Sequence, residues 1–334
     1  MPIITDRQQV LAVYREAEQK RRVLPCFCSE NLTTTEAVLA AVKEYGGARG
    51  VADLPIILAI TCQYDHRTQA AYYTHTRRWD VGLKLFMSDL KVLTDKGSPY
   101  ENLRVMLHLD HTQYDADKEL LSWDMGAFSS IMFDASAAPF DENIRLTRAF
   151  VKEHGGRIVV EGACDQIVDA EGNDTSELTT PQRAERYFTE TGADLIVANL
   201  GTEHRASAAA LQYHGELARE IKARVGARIV LHGASSVPAE QVAGLIDDGV
   251  CKVNVWTTLE RDSSPALLDA MVHNASGVAG ARRAGELKAA GLLGPECPTD
   301  GKASIEYFTT EYRQNIIFGE MKRIVRGYLE MWYK

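Results

Sequence analysis

The run Arg104-Val105-Met106-Leu107-His108-Leu109-Asp110-His111 decides how this chain folds. It reads as a β-strand buried within a sheet, and it ends in polar side chains rather than in a turn. His108 and Asp110 share one face of it, because side chains on a strand alternate. Seven further runs have the same character: Val23–Ser29, Pro55–Thr61, Ser129–Ser136, Arg157–Cys164, Asp194–Gly201, Arg228–Ser235 and Val250–Thr257.

Longer amphipathic stretches with helix punctuation separate these runs. Thr33-Thr34-Thr35-Glu36 has the form of a capping start before Ala37–Tyr45, with Gly46-Gly47 as the stop. Asp141–His154 ends at Gly155-Gly156. Thr180-Pro181 opens a helix to Thr191, with proline at the first helical position and Gly192 beyond the end. Val237-Pro238 opens another, closed by Gly249.

Eight β/α alternations with no linker or low-complexity break predict an α/β fold of the closed (β/α)8 type, a TIM barrel. The expectation is one domain over residues 1–334, with the barrel at about 20–262 and a helical extension at about 263–334. A doubly wound sheet would advertise a nucleotide loop, and neither G-x-G-x-x-G nor G-x-x-x-x-G-K-[ST] follows any strand. Two regions exceed a minimal barrel. Cys62–Asp80, after the second strand, is rich in His, Tyr, Arg and Gln; the tail Asp262–Lys334 includes a predicted helix over Ile305–Met331. Such tails commonly build oligomer contacts, so a homodimer or homotetramer is expected.

Charge and composition exclude several classes. A net charge of −9 argues against a nucleic-acid partner, which needs a basic surface. No apolar run approaches the ~18 residues of a membrane span, and Met1–Arg7 lacks the basic head and apolar core of a signal peptide. The six cysteines (26, 28, 62, 164, 251, 297) form no C-x-x-C pair or dense framework, and Cys26 and Cys28 read as core residues of a strand. Reduced thiols and a cytoplasmic location are the expectation.

Catalysis in such barrels occurs at the C-terminal strand ends. There the chain places Asp110-His111, Asp134-Ala135-Ser136, Glu161-Gly162, Glu203-His204, His232-Gly233 and Asn254. His111, His204 and His232 thus fall at one end of three strands, and three imidazoles with an open fourth position are a recurrent catalytic zinc arrangement. A lone histidine near a strand end is more often a packing residue; three on one rim, one of them beside Asp110, favour a metal. His108 is placed to support the site from behind. His66 and His75 read as solvated.

In this order the residues resemble the class II, zinc-dependent ketose-bisphosphate aldolases, the fructose- and tagatose-bisphosphate enzymes. The family's H-x-D-H is His108–His111, its M-F-D-G-S is Met132–Ser136 with Ala135 for Gly, and its G-T-x-H-G is Gly201–Arg205. Its H-G-G-S-G is His232–Ser236 and its K-V-N-V-x-T is Lys252–Thr257, so the resemblance spans Val23 to Thr257. It implies a lyase with Zn2+ (or another divalent metal) on His111, His204 and His232. It further implies Asp110 as the acid–base group, Asn254 as support for a zinc-stabilised enediolate, and Asp134 as a candidate second metal position. Phosphate contacts are implied at Gly233, Ser235 and Thr257, with Thr61 where the family has Ser. The implied reaction is reversible cleavage of a ketose phosphate to dihydroxyacetone phosphate, or an analogue, and an aldehyde.

The departures concern the substrate. Arg205 stands for the glycine after the third-motif His, and Ala234 and Ser236 fill two more glycine positions. Glycines there let backbone N–H groups approach a phosphate, so their loss predicts a reshaped pocket, with Arg205 as a cationic clamp for a phosphate or carboxylate. Ala163 replaces the family's second Glu on strand five. The loop Gln166–Glu177 lacks a Gly-Gly hinge and offers Asp169, Glu171, Asp174 and Glu177 as acidic candidates. Trp256 replaces a small or polar residue, where an aromatic would restrict the pocket or stack on substrate. Two alternatives stand beside the aldolase: a metal-dependent epimerase or aldolase acting on an atypical sugar or sugar acid, and a barrel subunit that has lost catalysis.

Overall fold

The computed structural model describes residues 3–166, 178–202 and 213–334. Eight parallel strands close into a barrel in sequence order. They are β1 (Leu24–Cys28), β2 (Pro55–Thr61), β3 (Arg104–Gln113), β4 (Ser130–Asp134), β5 (Val159–Ala163), β6 (Leu195–Val197), β7 (Ile229–Leu231) and β8 (Val250–Val255). Closure comes from β8 pairing with β1, where Leu24 faces Lys252 and Cys26 faces Asn254. Helices follow the strands and bury their apolar faces against the outer surface of the barrel, as the alternating pattern requires. Gly162 on β5 is needed for this packing, since a Cβ there would lie 2.7 Å from the ring of Tyr187.

The N-terminal ends of the strands are covered by the helix Arg7–Gln19. Three contacts tie it to strand starts: Ile4 N–H donates to Val105 O at 2.8 Å, Arg7 pairs with Asp194 at 2.5 Å, and Arg104 pairs with Glu16 at 2.7 Å. The opposite rim is thereby left for chemistry. The chain ends in the helix Thr310–Trp332, which packs on the helices Leu32–Gly47 and Thr257–His273. Tyr333 anchors its end by donating to Pro55 O at 2.6 Å. Between them, Ala275, Ala284, Leu293 and Cys297 make a small cluster of their own.

Several boundaries differ from the sequence reading. The first helix after β1 begins at Leu32 because Asn31, not the threonine run, is its cap, accepting from Thr33 N–H at 2.9 Å and Thr34 N–H at 3.2 Å. The stretch after Val237-Pro238 holds only the short helix Ala239–Val242. β6 and β7 are shorter than expected, and Gly201 and Gly233, both at positive φ, turn the chain beyond them. Thr257 opens a helix rather than ending β8. All six cysteines are free and buried, and Cys26 and Cys28 are core residues of β1 as expected.

Candidate active site

Strand three does not stop at His111. It runs on to Gln113, and the β3–β4 register slips by one residue, since Leu109 pairs with Ile131 but Thr112 with Phe133. His111 lies inside this bulge with φ +43°, a left-handed conformation that costs a non-glycine residue about 1–3 kcal/mol. The bulge has a clear effect. On an unbroken strand the adjacent Asp110 and His111 would point to opposite faces; here both reach the barrel mouth.

Asp110, His111 and His232 bring their ligand atoms within 4.8 Å of one another, and all three are buried. His111 Nε2 lies 3.1 Å from His232 Nδ1. Two nitrogen ligands on a tetrahedral zinc at ~2.0–2.1 Å are about 3.3 Å apart, so these rings already have the spacing a zinc ion needs. Asp134 Oδ2 faces His111 Nδ1 at 3.2 Å and receives Gln113 Nε2 at 2.9 Å, while its Oδ1 accepts from the Ser136 amide and hydroxyl. Asp134 therefore sits behind His111 as the carboxylate that orients the ring. Tyr64 stacks on the His111 ring at 4.1 Å and 4°.

Asp110 is held from two strands. Asn254 Nδ2 donates to its Oδ1 at 2.8 Å, and Cys28 Sγ approaches its Oδ2 at 3.4 Å. Burial works against its charge, yet the imidazoles of His111 and His232 outweigh that and hold its carboxyl well below the usual range. For His111, burial opposes the charge, and the carboxylates of Asp110 and Asp134 raise its pKa.

Below this layer lies a polar chain the sequence reading did not assemble. Lys252 and Glu161 are fully buried inside the barrel. The Lys252 ammonium donates to both Glu161 oxygens at 2.8 Å and to His108 Nε2 at 3.0 Å, which uses all three of its N–H donors. His108 must then carry its proton on Nδ1, donating to Ser130 Oγ at 2.8 Å. His108 does stand behind the site, with Nε2 3.7 Å from Asp110 Oδ1. A signal was available: charged residues inside the barrel strands β5 and β8, Lys252 in phase with Asn254, have nowhere to go but the barrel interior.

The family model for class II fructose-bisphosphate aldolase matches residues 8–293. The chain belongs to that family. Class II aldolases are lyases, and solved relatives share the whole architecture. The fructose-bisphosphate aldolase of Campylobacter jejuni superposes with a TM-score of 0.74 at 17% identity, covering 99% of this chain and 95% of that one. The YdjI aldolase of Escherichia coli K12 gives 0.65 at 20%, covering 96% and 95%. A putative fructose-1,6-bisphosphate aldolase from Coccidioides immitis gives 0.63 at 22%, covering 97% and 95%.

Placed on this class II aldolase barrel, the remaining expectations divide. His204 and Arg205 lie outside the described residues, as do Asp169, Glu171, Asp174 and Glu177. Gly233 follows His232 at φ +68°, Ser235 lies in the turn Ala234–Ser236, and Thr257 is the first residue of its helix. All three therefore flank the ends of β7 and β8. Thr61 is committed within the fold: its amide donates to Gln69 Oε1 at 2.9 Å, its hydroxyl donates to Arg67 O, and Gln69 N–H donates back to it at 3.0 Å. Trp256 turns its indole to the wall, donating from Nε1 to Glu30 Oε1 at 2.7 Å.

Proposed function

We propose that this protein is a metal-dependent class II aldolase that cleaves a ketose phosphate reversibly to dihydroxyacetone phosphate, or a close analogue, and an aldehyde. The observation that carries the reading is the convergence of His111, His232 and Asp110 at one buried point, with Asn254 bonded to Asp110. His111, His232 and His204 are assigned as the ligands of a divalent ion, zinc by preference. When bound, such an ion supplies Lewis-acid stabilisation to the oxygens of a ketose beside the breaking bond.

The chain's own groups do the rest. In the cleavage direction Asp110, kept ionised by its surroundings, takes the proton of the hydroxyl on the carbon that becomes the aldehyde; in synthesis it returns that proton. Asn254 orients Asp110 and supports the electron-rich ketose fragment. Gly233, Ser235 and Thr257, on the β7–β8 side, are assigned to the phosphate of that fragment, and Arg205 is assigned to it from the sequence alone. Thr61 would join them only if the loop over Arg67–Gln69 released its hydroxyl.

The test is release of dihydroxyacetone phosphate from a panel of ketose phosphates by zinc-loaded protein. Activity should vanish on chelation and return with zinc or cobalt. Asp110→Ala should retain the metal and lower turnover by ~10²–10⁴-fold. Near-normal turnover in that variant would remove Asp110 from the mechanism, and a metal-free protein that still turned over would remove the whole reading.

A further inference from the structure

Resting on the aldolase reading, we infer that Lys252 is a positioning residue for the reaction: by occupying His108 Nε2 it keeps that ring from donating a hydrogen bond to Asp110. Without the lysine, His108 would have a choice. Its Nε2 stands 3.6 Å from Glu161 Oε2 and 3.7 Å from Asp110 Oδ1. A neutral imidazole carries its one proton on either nitrogen, and a hydrogen bond to a carboxylate is roughly twice as strong as one to a hydroxyl. The favoured form would be protonated at Nε2 and turned to a carboxylate, with the Ser130 hydroxyl donating to Nδ1.

Lys252 reverses that preference. Paired with Glu161, whose two oxygens each lie 2.8 Å from it, the side chain is an ammonium with no lone pair. It lies 3.0 Å from His108 Nε2, so that nitrogen can only accept, and the ring proton is left on Nδ1, 2.8 Å from Ser130 Oγ. His108, Glu161 and Lys252 are all fully buried, so the arrangement is set by these groups alone.

The beneficiary is Asp110. Among the described residues it receives one amide N–H, from Asn254 to Oδ1 at 2.8 Å, and the Cys28 thiol, a weak donor, 3.4 Å from Oδ2. A carboxylate offers about four acceptor sites, so room remains for the proton it exchanges with substrate. Any further N–H bound there would have to be weakened as that proton arrives, which adds to the barrier. The buried Lys252–Glu161 pair thus serves the reaction by what it withholds from Asp110.

The direct test is the imidazole 15N spectrum of histidine-labelled full-length protein, with and without zinc, the His108 signals being identified by their loss in His108→Gln. Nδ1 protonated and Nε2 bare is expected; a protonated Nε2 overturns the inference. In Ser130→Ala the proton should stay on Nδ1, because Lys252 still fills Nε2, and a shift would make Ser130 the determinant and overturn it too. Lys252→Met with Glu161→Leu replaces the pair by apolar groups, a change often neutral for stability, and leaves Asp110 as the one carboxylate before Nε2. There the proton should move to Nε2, and kcat per bound zinc, on the ketose phosphate the parent turns over fastest, should fall on the order of tenfold with KM within about threefold. A folded double variant with parental kcat, or with its loss carried by KM, overturns the role at Asp110 and leaves the aldolase standing. Release of dihydroxyacetone phosphate from no substrate by the parent would instead overturn the aldolase reading, whichever tautomer the spectrum shows.

Discussion

Replacing Lys252 by Met would test whether the polar chain inside the barrel is a stabilising unit or an accident of packing. Lys252 and Glu161 are both 0% exposed, and both Glu161 oxygens lie 2.8 Å from the ammonium. Methionine fills similar space but leaves Glu161 as a buried carboxylate without its cation. Breaking a buried pair in this way costs about 3–5 kcal/mol. The lower end is expected here, because His108 Nε2, 3.6 Å from Glu161 Oε2, loses its donor and can shift its proton to face the carboxylate. Lys252→Met with Glu161→Gln removes both charges and should recover most of the loss, giving a coupling energy of at least ~2 kcal/mol. Urea unfolding of the parent, Lys252→Met, Glu161→Gln and the double variant, followed by circular dichroism and all with chelator so that metal binding does not contribute, measures this. A single variant within ~1 kcal/mol of the parent, or a double variant no better than the single, would refute the argument.

Two further expectations follow from the same geometry. Asp134→Asn should keep the metal but weaken its affinity by ~10–100-fold, because the group that orients His111 loses its charge; competition against a chelating dye would show it, and unchanged affinity would mean the ring is fixed otherwise. Glu260→Gln concerns stability and pH. Burial, reinforced by Glu30, raises the Glu260 carboxyl from 4.5 to about 7. The folded state therefore holds a proton that the unfolded chain has released, so stability falls as pH rises through that window. The Gln variant should match the parent near pH 4 and exceed it at pH 8 by on the order of 1–2 kcal/mol after allowance for partial exposure, read as a shift in unfolding midpoint; equal midpoints at both values would show that Glu260 ionises normally.

The barrel was legible because each local signal agreed with the next. Thr180-Pro181 and Gly192 bracket the helix they were expected to bracket, and strand starts such as Pro55, Arg104 and Val250 fall where the apolar runs begin. Strand ends were less legible. An apolar run continues into a loop whenever the loop packs, so Ala198 and Leu200 look like strand but follow β6, beyond its last paired residue. Of the site, the inward placing of His108 with Asp110, and of Lys252 with Asn254, follows from strand parity. Tyr64 and Gln113 do not, because nothing in a single chain says which loop side chain folds back over a ring.

The least legible point was the conformation of His111, and the sequence held the clue. A strand cannot send two consecutive side chains inward, yet Asp110 and His111 were both assigned inward. Ending the strand between them would resolve the conflict at the loss of ladder hydrogen bonds. The structure resolves it with a bulge, keeping pairing through Thr112 and Gln113 and accepting one left-handed residue. Two adjacent inward-facing polar residues at a strand end are thus themselves a bulge signal. The strain is tolerable because the ring is fixed from three sides, by Asp134, by Tyr64 and by the neighbouring His232. That makes the geometry of the candidate metal centre a property of β3 and its neighbours rather than of a loop, and rigid strands are where such a centre needs to be held.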